Sequence, residues 1–358
     1  MFKQTVTAQR SARPLHRVRT IALMTTAAIA LLVGSTATVV AKTTLLVYTA
    51  LEDEQLKPYA DAFEQANPDI EIKWVRDSTG VITAKILAEK NNPQADAIWG
   101  LAATSIAKFE SDGMLLPYAP KNLPAMSAAY RDPKSPPNWF GMDVWGATIC
   151  FNTAAAVEQH LPKPQSWQDL TKPVYKGKIV MADPASSGTG YFDVTAWLQL
   201  FGEQGGWQFM DALDKNIAQY NHSGSAPCTM AASGEYPIGI SFEYRAAALK
   251  AQGAPIDLVF PKEGLGWDLE AFAIMKNATK LDAAKKLADF ASSREANSLY
   301  ARSYAITAVP GTAKPLPNVP ANYASLLVKN DFTWAANNRA KILAQWAQRY
   351  SSKSETRQ

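Results

Sequence analysis

From residue 42 onward, short runs of β-branched and aromatic residues alternate with segments whose apolar positions recur every three or four residues. The run KTTLLVYT at 42–49 has the composition of a buried strand. Leu56, Tyr59, Ala60 and Phe63 then fall on one helical face, until Asn67-Pro68 stops the helix. IEIKWV at 70–75 alternates and reads as a second strand, DSTG at 77–80 opens a helix that buries Ile82, Ile86 and Leu87, and ADAIWG at 95–100 is a third strand. Strands separated by helices predict a mostly parallel sheet covered on both faces.

The same order returns later in the chain. GKIVMADP is a strand, SSGTG a loop, 191–201 a helix, NIAQYN a strand, HSGSAP a loop, 229–234 a short helix and YPIGISFEY a strand. Between the two blocks stand two extended apolar segments, GATICFN at 146–152 and IDLVFP at 256–261, which are expected to cross between them. Segments 281–290 and 334–350 are amphipathic helices expected to pack back on the first block. The predicted fold class is α/β: two doubly wound lobes with a ligand cleft between them, lobe 1 from 42–149 and 262–358, and lobe 2 from 150–261.

The first 41 residues differ in kind. Lys3, Arg10, Arg13, Arg17 and Arg19 precede an apolar run at 21–33 and a small-residue site around Val39 and Ala41, the pattern of a secretory signal peptide cut after Ala41. The run is shorter than the about 20 residues of a spanning helix. With these five cations set aside, the 36 Lys and Arg of the chain fall to 31, against 32 Asp and Glu. The apparent basicity thus belongs to the export segment, and a nucleic-acid or membrane-surface partner loses its support. A periplasmic, monomeric protein of 317 residues is expected, long enough for two lobes. Cys150 and Cys228 are able to pair in an oxidising compartment, and the sequence leaves that bridge open. Only His160 and His222 follow position 41, neither at zinc-ligand spacing to a cysteine, so no metal or other cofactor is expected.

Three loops share one design: Asp77-Ser78-Thr79-Gly80, Ser186-Ser187-Gly188-Thr189-Gly190 and His222-Ser223-Gly224-Ser225. Each follows a strand and opens a helix, where free backbone N–H groups and the positive end of the helix dipole attract an anion. Such residues are also ordinary helix caps, but three on two lobes are able to converge on one oxyanion. Ser78, Thr79, Gly80, Ser187, Gly188, Thr189, Ser223 and Ser225 are the expected anion ligands. Neither a Gly-x4-Gly-Lys-Ser/Thr phosphate loop nor a Gly-x-Ser-x-Gly elbow occurs, and no catalytic residue is assigned. Neutral donors without a nucleophile and base suit a carrier rather than an enzyme. A secreted phosphonate or phosphoester hydrolase is the rival of another class.

Glu52 follows the first strand, where it serves either as counter-charge for a ligand amine or as a helix-start acid. Glu243 ends an apolar strand and needs a partner, Arg245 or a ligand amine. Tyr244 and Trp267, the latter flanked by Gly264, Gly266 and Asp268, are core packing or an aromatic wall for the ligand. Tyr48 and Trp99 read as core.

VYTALEDEQLKPYADAFEQANPDIEI, DSTGVITAKILAEKNNPQADAIWG, ASSGTG and SREANSLYARSYAITAVPG together resemble the solute-binding subunits of ABC importers, in the iron(III)-binding branch of the type II periplasmic binding proteins. DSTG, PASSGTG, HSGSAPC, ISFEYR and GLGWD resemble the subgroup assigned to 2-aminoethylphosphonate uptake. The resemblance implies two lobes closing on ligand and an ABC permease as partner. Iron-binding relatives use a His-Tyr pair after the first strand and paired tyrosines near the C-terminus; here Leu51-Glu52 and a lone Tyr304 stand there, which argues against iron. The implied ligand is 2-aminoethylphosphonate, its phosphonate on the hydroxyl loops and its ammonium at Glu52 or Glu243, with Tyr244 or Trp267 over the spacer. Phosphate, thiamine phosphate, a polyamine or a metal chelate are the alternatives.

Overall fold

The computed structural model describes residues 41–356; the expected signal peptide lies outside them except for Ala41. Strands β1 (Thr43–Thr49), β2 (Ile70–Arg76) and β3 (Ala97–Ala102) alternate with helices α1 (Asp53–Ala66), α2 (Thr79–Ala88) and α3 (Ala103–Ser111). A two-residue strand β4 (Leu115–Leu116) precedes the long β5 (Trp139–Asn152) and the short α4 (Thr153–Glu158). The second block runs β6 (Ile179–Ala182), α5 (Gly188–Asp214), β7 (Ile217–Asn221), α6 (Ala226–Ser233), β8 (Ile238–Phe242), α7 (Glu243–Ala251) and β9 (Ile256–Val259). After it come β10 (Trp267–Met275), α8 (Leu281–Ala291), α9 (Arg294–Tyr300), α10 (Tyr323–Leu326) and α11 (Phe332–Tyr350).

Strand order is β2-β1-β3-β10-β5-β8-β6-β7, with β4 on β10 and β9 on β5. The outer triplets β2-β1-β3 and β7-β6-β8 are parallel, and the central neighbours pair antiparallel. β5 belongs to both lobes: Trp139 to Gly146 pair with β10, and Ala147 to Asn152 with β8 and β9. The second crossing therefore differs from expectation. Segment 256–259 stays within the second lobe beside β5, and the chain returns through residues 260–266 into β10.

Each lobe is doubly wound. In the first, Val47, Trp99 and Phe272 pack with Tyr59, Phe63 and Leu287 on one face of the sheet, while Tyr48, Ile98 and Leu101 pack with Ile82, Ile86 and Phe109 on the other. In the second, Met181 and Ile240 pack with Trp197 and Leu213, and the opposite face holds Cys150, Cys228 and Ala246. Each fully buried Val, Leu, Ile, Met or Phe among these contributes about 1.5–3 kcal/mol by leaving water. Cys150 and Cys228 are joined with a Cα–Cα distance of 5.4 Å, which ties β5 to α6.

The sequence predicts that helix 334–350 returns to the first lobe. The structure sets α11 between both lobes: it lies against α3, yet its Trp346 meets Tyr220 at 4.9 Å, and Tyr191 Oη donates to Ala335 O at 2.6 Å. The reason is chemical, because Trp346 and Tyr350 find the aromatic surface of Trp207 and Tyr220 on the second lobe. Among the described residues no helix is long and apolar enough to cross a membrane.

Candidate functional site

The carboxyl ends of the two parallel triplets face one another, the place where open α/β sheets hold ligands. The first lobe contributes Ala50, Glu52, Arg76, Ser78, Thr79 and Gly100 to Ala102, and the second Ser187 to Thr189, Ser223, Gly224 and Phe242. Trp145 of β5, Glu270 of β10 and Tyr304 complete the cleft.

The hydroxyl loops meet there. Ser187 caps α5, its Oγ accepting from the N–H groups of Thr189 at 3.1 Å and Gly190 at 3.4 Å, while Gly188 opens that helix. Ser78 begins α2 without using its hydroxyl as a cap. Ser223 Oγ lies 2.9 Å from Ser225 Oγ. Glycine is required where the loops touch: a Cβ on Gly224 would stand 2.6 Å from Thr189 Oγ1 and 2.9 Å from Ser187 Oγ, and one on Gly188 would stand 2.7 Å from Thr79 Oγ1. The hydroxyls of Ser78, Thr79, Ser187, Thr189 and Ser223 thus line one cleft, at the N-terminal ends of two helices. That arrangement suits a small oxyanion.

Two expected anion ligands, Gly80 and Ser225, are not among the residues that line the cleft. The Gly80 N–H donates to Ser186 O at 2.7 Å, and a Cβ there would lie 2.1 Å from Ala185 O. Gly80 is therefore where the lobes touch rather than a ligand donor. Ser225 is not part of the cleft wall; its Oγ turns to Glu52 Oε2 at 3.4 Å.

Sequence reasoning missed Arg76, the last residue of β2, which lines the cleft and donates from Nε to Leu51 O at 2.9 Å. Its position, one residue before DSTG at the same sheet edge, was the available signal.

The acids differ most from expectation. Glu52 Oε2 already accepts from Arg245 Nη2 at 2.8 Å and from Arg76 Nη2 at 3.4 Å. Because Arg245 comes from the second lobe, Glu52 is a cross-cleft ion-pair partner; Arg245 also reaches Glu54 at 2.9 Å. Glu243 is not the end of a strand but the first residue of α7, fully buried outside the cleft wall. Its Oε2 accepts from Gly146 N at 2.8 Å, and burial pushes its carboxyl up to about 8. Tyr244 donates to Glu54 at 3.2 Å on the rim. Trp267 donates from Nε1 to Val328 O at 2.7 Å and packs on Phe332 with ring centroids 5.0 Å apart, so it anchors the C-terminal segment. The aromatic walls of the cleft are instead Trp145, Phe242 and Tyr304.

Glu270, two residues beyond GLGWD and not singled out in the sequence, does line the cleft. Its Oε1 accepts from Tyr304 Oη at 3.2 Å, and burial pushes its carboxyl up to about 8. The signal was an acid at an interior position of the apolar run WDLEAFAIM.

Among the described residues no three of His, Cys, Asp and Glu gather as metal ligands. His222 Nε2 lies 3.7 Å from Asp77 Oδ1 across the cleft edge, and Ser186 Oγ bonds its backbone carbonyl rather than its ring. The arrangement suits an anion met by hydroxyl and backbone N–H donors with Arg76 beside them, and among the described residues no Ser or Thr hydroxyl of the cleft is hydrogen-bonded to a histidine ring.

Residues 92–340 match the model of the bacterial extracellular solute-binding protein family. A Haemophilus influenzae protein of uncharacterized role is 34% identical over 72% of this chain and 75% of its own length. A probable ABC transporter periplasmic-binding protein of Sinorhizobium fredii is 28% identical over 86% of this chain and 85% of its own. Among solved structures, the periplasmic binding protein AfuA of Actinobacillus pleuropneumoniae, with exogenous fructose-6-phosphate bound, is similar at a TM-score of 0.81 and 32% identity, covering 87% of this chain and 99% of that one.

Proposed function

The chain belongs to the bacterial extracellular solute-binding protein family, and within it we propose that this member captures 2-aminoethylphosphonate in the periplasm and delivers it to the membrane permease of an ABC importer. The observation that carries the reading is the cradle of Ser78, Thr79, Ser187, Gly188, Thr189 and Ser223 at two helix starts, with Arg76 beside it. Neutral donors hold a phosphonate dianion without activating it, and a carrier must release what it binds. A phosphate ester in a 32%-identical relative supports a phosphoryl-type anion at this cleft. The choice of 2-aminoethylphosphonate rests on the resemblance carried by DSTG, PASSGTG, HSGSAPC, ISFEYR and GLGWD.

Ligand bridging the two lobes shifts an open ensemble toward a closed one, and the closed form is what a permease would recognise. In this reading the moving bodies are the lobes built on β2-β1-β3 and β7-β6-β8, linked by β5 and residues 260–266. A small sugar phosphate is the second reading, favoured by the fructose-6-phosphate in the relative.

Thermal denaturation of the mature protein against 2-aminoethylphosphonate, fructose 6-phosphate, inorganic phosphate, putrescine and ferric citrate tests the reading. A ligand at one hundred times its Kd stabilises by about 2.7 kcal/mol. The largest shift is expected with 2-aminoethylphosphonate. A shift with another member of the panel and none with the aminophosphonate would refute it, and release of inorganic phosphate by the pure protein would make it an enzyme.

A further inference from the structure

Glu270 on the floor of the cleft has a second carboxyl group, Asp143, beside it, and three of their four oxygens have no hydrogen-bond partner. Glu270 and Asp143 are directly opposed across the antiparallel pair of β10 and β5, which places their side chains on one face within about 5.5 Å at Cβ. Glu270 is 8% exposed and lines the cleft, and its Oε2 has no hydrogen-bond partner. Asp143 is fully buried behind it, and neither of its carboxyl oxygens has a partner. Isolated buried carboxylates are strongly disfavoured unless paired. We propose that Glu270 is the cation acceptor of this cleft and Asp143 its positioning residue, and that a ligand's primary ammonium binds there by displacing the proton that Glu270 carries in the empty cleft.

The surroundings fit that exchange. Tyr304 Oη donates to Glu270 Oε1, and Gln55 Nε2 supports Tyr304 Oη at 3.2 Å. The other charged or titratable groups facing the pair are Glu52 and Glu243, which add negative charge, and Tyr59 and Tyr300 against Asp143. Arg76 lines the same cleft but spends its Nη2 on Glu52. Burial raises both carboxyl groups, Glu270 to about 8 with Glu52 and Glu243 adding to the rise, while Glu270 and Glu243 push Asp143 up further. Near neutral pH the empty Glu270 therefore keeps its proton, which leaves to solvent when the ammonium arrives. Charge balances, since one cation replaces another. The inference rests on the anion assignment of the cradle and adds the chemistry of the opposite end: a zwitterion with a primary amine a short chain from its phosphoryl group.

The test is calorimetric titration of wild type, Glu270→Gln and Asp143→Asn with 2-aminoethylphosphonate and with ethylphosphonate, at pH 7 in two buffers of different ionisation enthalpy. Wild type should bind the aminophosphonate at least tenfold more tightly and release up to one proton more than with ethylphosphonate. Glu270→Gln should lose at least tenfold for the aminophosphonate, keep ethylphosphonate within about twofold and abolish the extra proton. Asp143→Asn should keep binding but lessen proton release. Equal affinity of wild type for the two ligands, parallel losses for both ligands in Glu270→Gln, or heats independent of buffer would overturn the proposal while leaving the anion site standing. Wild type that binds neither phosphonate would instead overturn the functional reading, and this inference with it.

Discussion

Replacing Gly80 by alanine separates closure from folding. Gly80 is the second residue of α2, and its N–H donates across the lobes to Ser186 O at 2.7 Å. An added Cβ would stand 2.1 Å from Ala185 O and 2.8 Å from the Cα and carbonyl carbon of Ser186. These are backbone atoms, which cannot swing aside as a side-chain tip would, so the lobes must part. Overpacking of this kind costs about 1–3 kcal/mol, and the lost hydrogen bond about 0.5–1.5 kcal/mol. Together they penalise the closed form by about 2–4 kcal/mol, which is roughly a 30- to 900-fold loss of affinity. In an open form the methyl meets nothing across the cleft, and alanine in a helix is better than glycine by roughly 0.5–1 kcal/mol. Calorimetric titration should therefore show weak binding by Gly80→Ala, while the ligand-free variant melts at the wild-type temperature or slightly above. Affinity within twofold of wild type would refute the reasoning, because the lobes would then not need this contact to hold ligand. A matching fall in melting temperature would refute it too, since the residue would be part of the ligand-free fold.

Glu52→Gln removes the carboxylate that Arg245 and Arg76 share across the cleft; it should weaken 2-aminoethylphosphonate and ethylphosphonate alike, by about tenfold, the low end for a charged hydrogen bond. A loss confined to the amine-bearing ligand in the same titration would return the ammonium to Glu52. Replacing Cys150 and Cys228 together by serine frees a span of 78 residues and should lower unfolding stability by about 4.5 kcal/mol on the chain-entropy view, with ligand affinity unchanged; denaturant melts and titration check both halves of that statement. Stability should also depend on pH. Burial raises Glu243 and Glu270 to about 8 and Asp268 to about 7, so the folded chain binds more protons than the unfolded one from the ordinary carboxylate range upward. That contribution is complete below about pH 4 and is lost as pH rises through 7 and 8. The ligand-free melting temperature should fall between pH 5 and pH 8.5, and a rise over that interval would contradict the burial of these acids.

Local periodicity carried much of the fold. The alternation of 42–49, 70–75 and 95–100 with helical spacings placed β1, α1, β2, α2 and β3 near their observed positions, because those patterns depend on neighbours in sequence. β10 escaped notice because WDLEAFAIM puts two acids, Asp268 and Glu270, into an otherwise apolar strand. Their burial is intelligible only from Thr104, which donates to Asp268 at 2.6 Å, and Tyr304, which donates to Glu270. α5 runs on past Phe201 because the chain bends at Gly202, with φ at 75°, and resumes its helix through Asp214.

The hydroxyl loops were legible for a similar reason, since strand, Ser-Gly loop and helix lie together in sequence. The acids were not. Glu52 and Glu243 follow strand ends and Glu270 lies inside a strand, and only tertiary neighbours separate an ion-pair partner, a buried acceptor for Gly146 N and a cleft-floor group. Trp267 and Trp145 exchange roles likewise: they lie one register position apart across β10 and β5, and the one that meets the cleft is Trp145.

The most direct measurement is titration of the mature protein with 2-aminoethylphosphonate in a calorimeter, with phosphate release monitored in the same sample. One ligand bound per chain, tighter than either ethylphosphonate or fructose 6-phosphate and recovered intact, is the predicted result. No binding of the aminophosphonate by a protein that binds fructose 6-phosphate or putrescine, or its conversion to free phosphate, would contradict it.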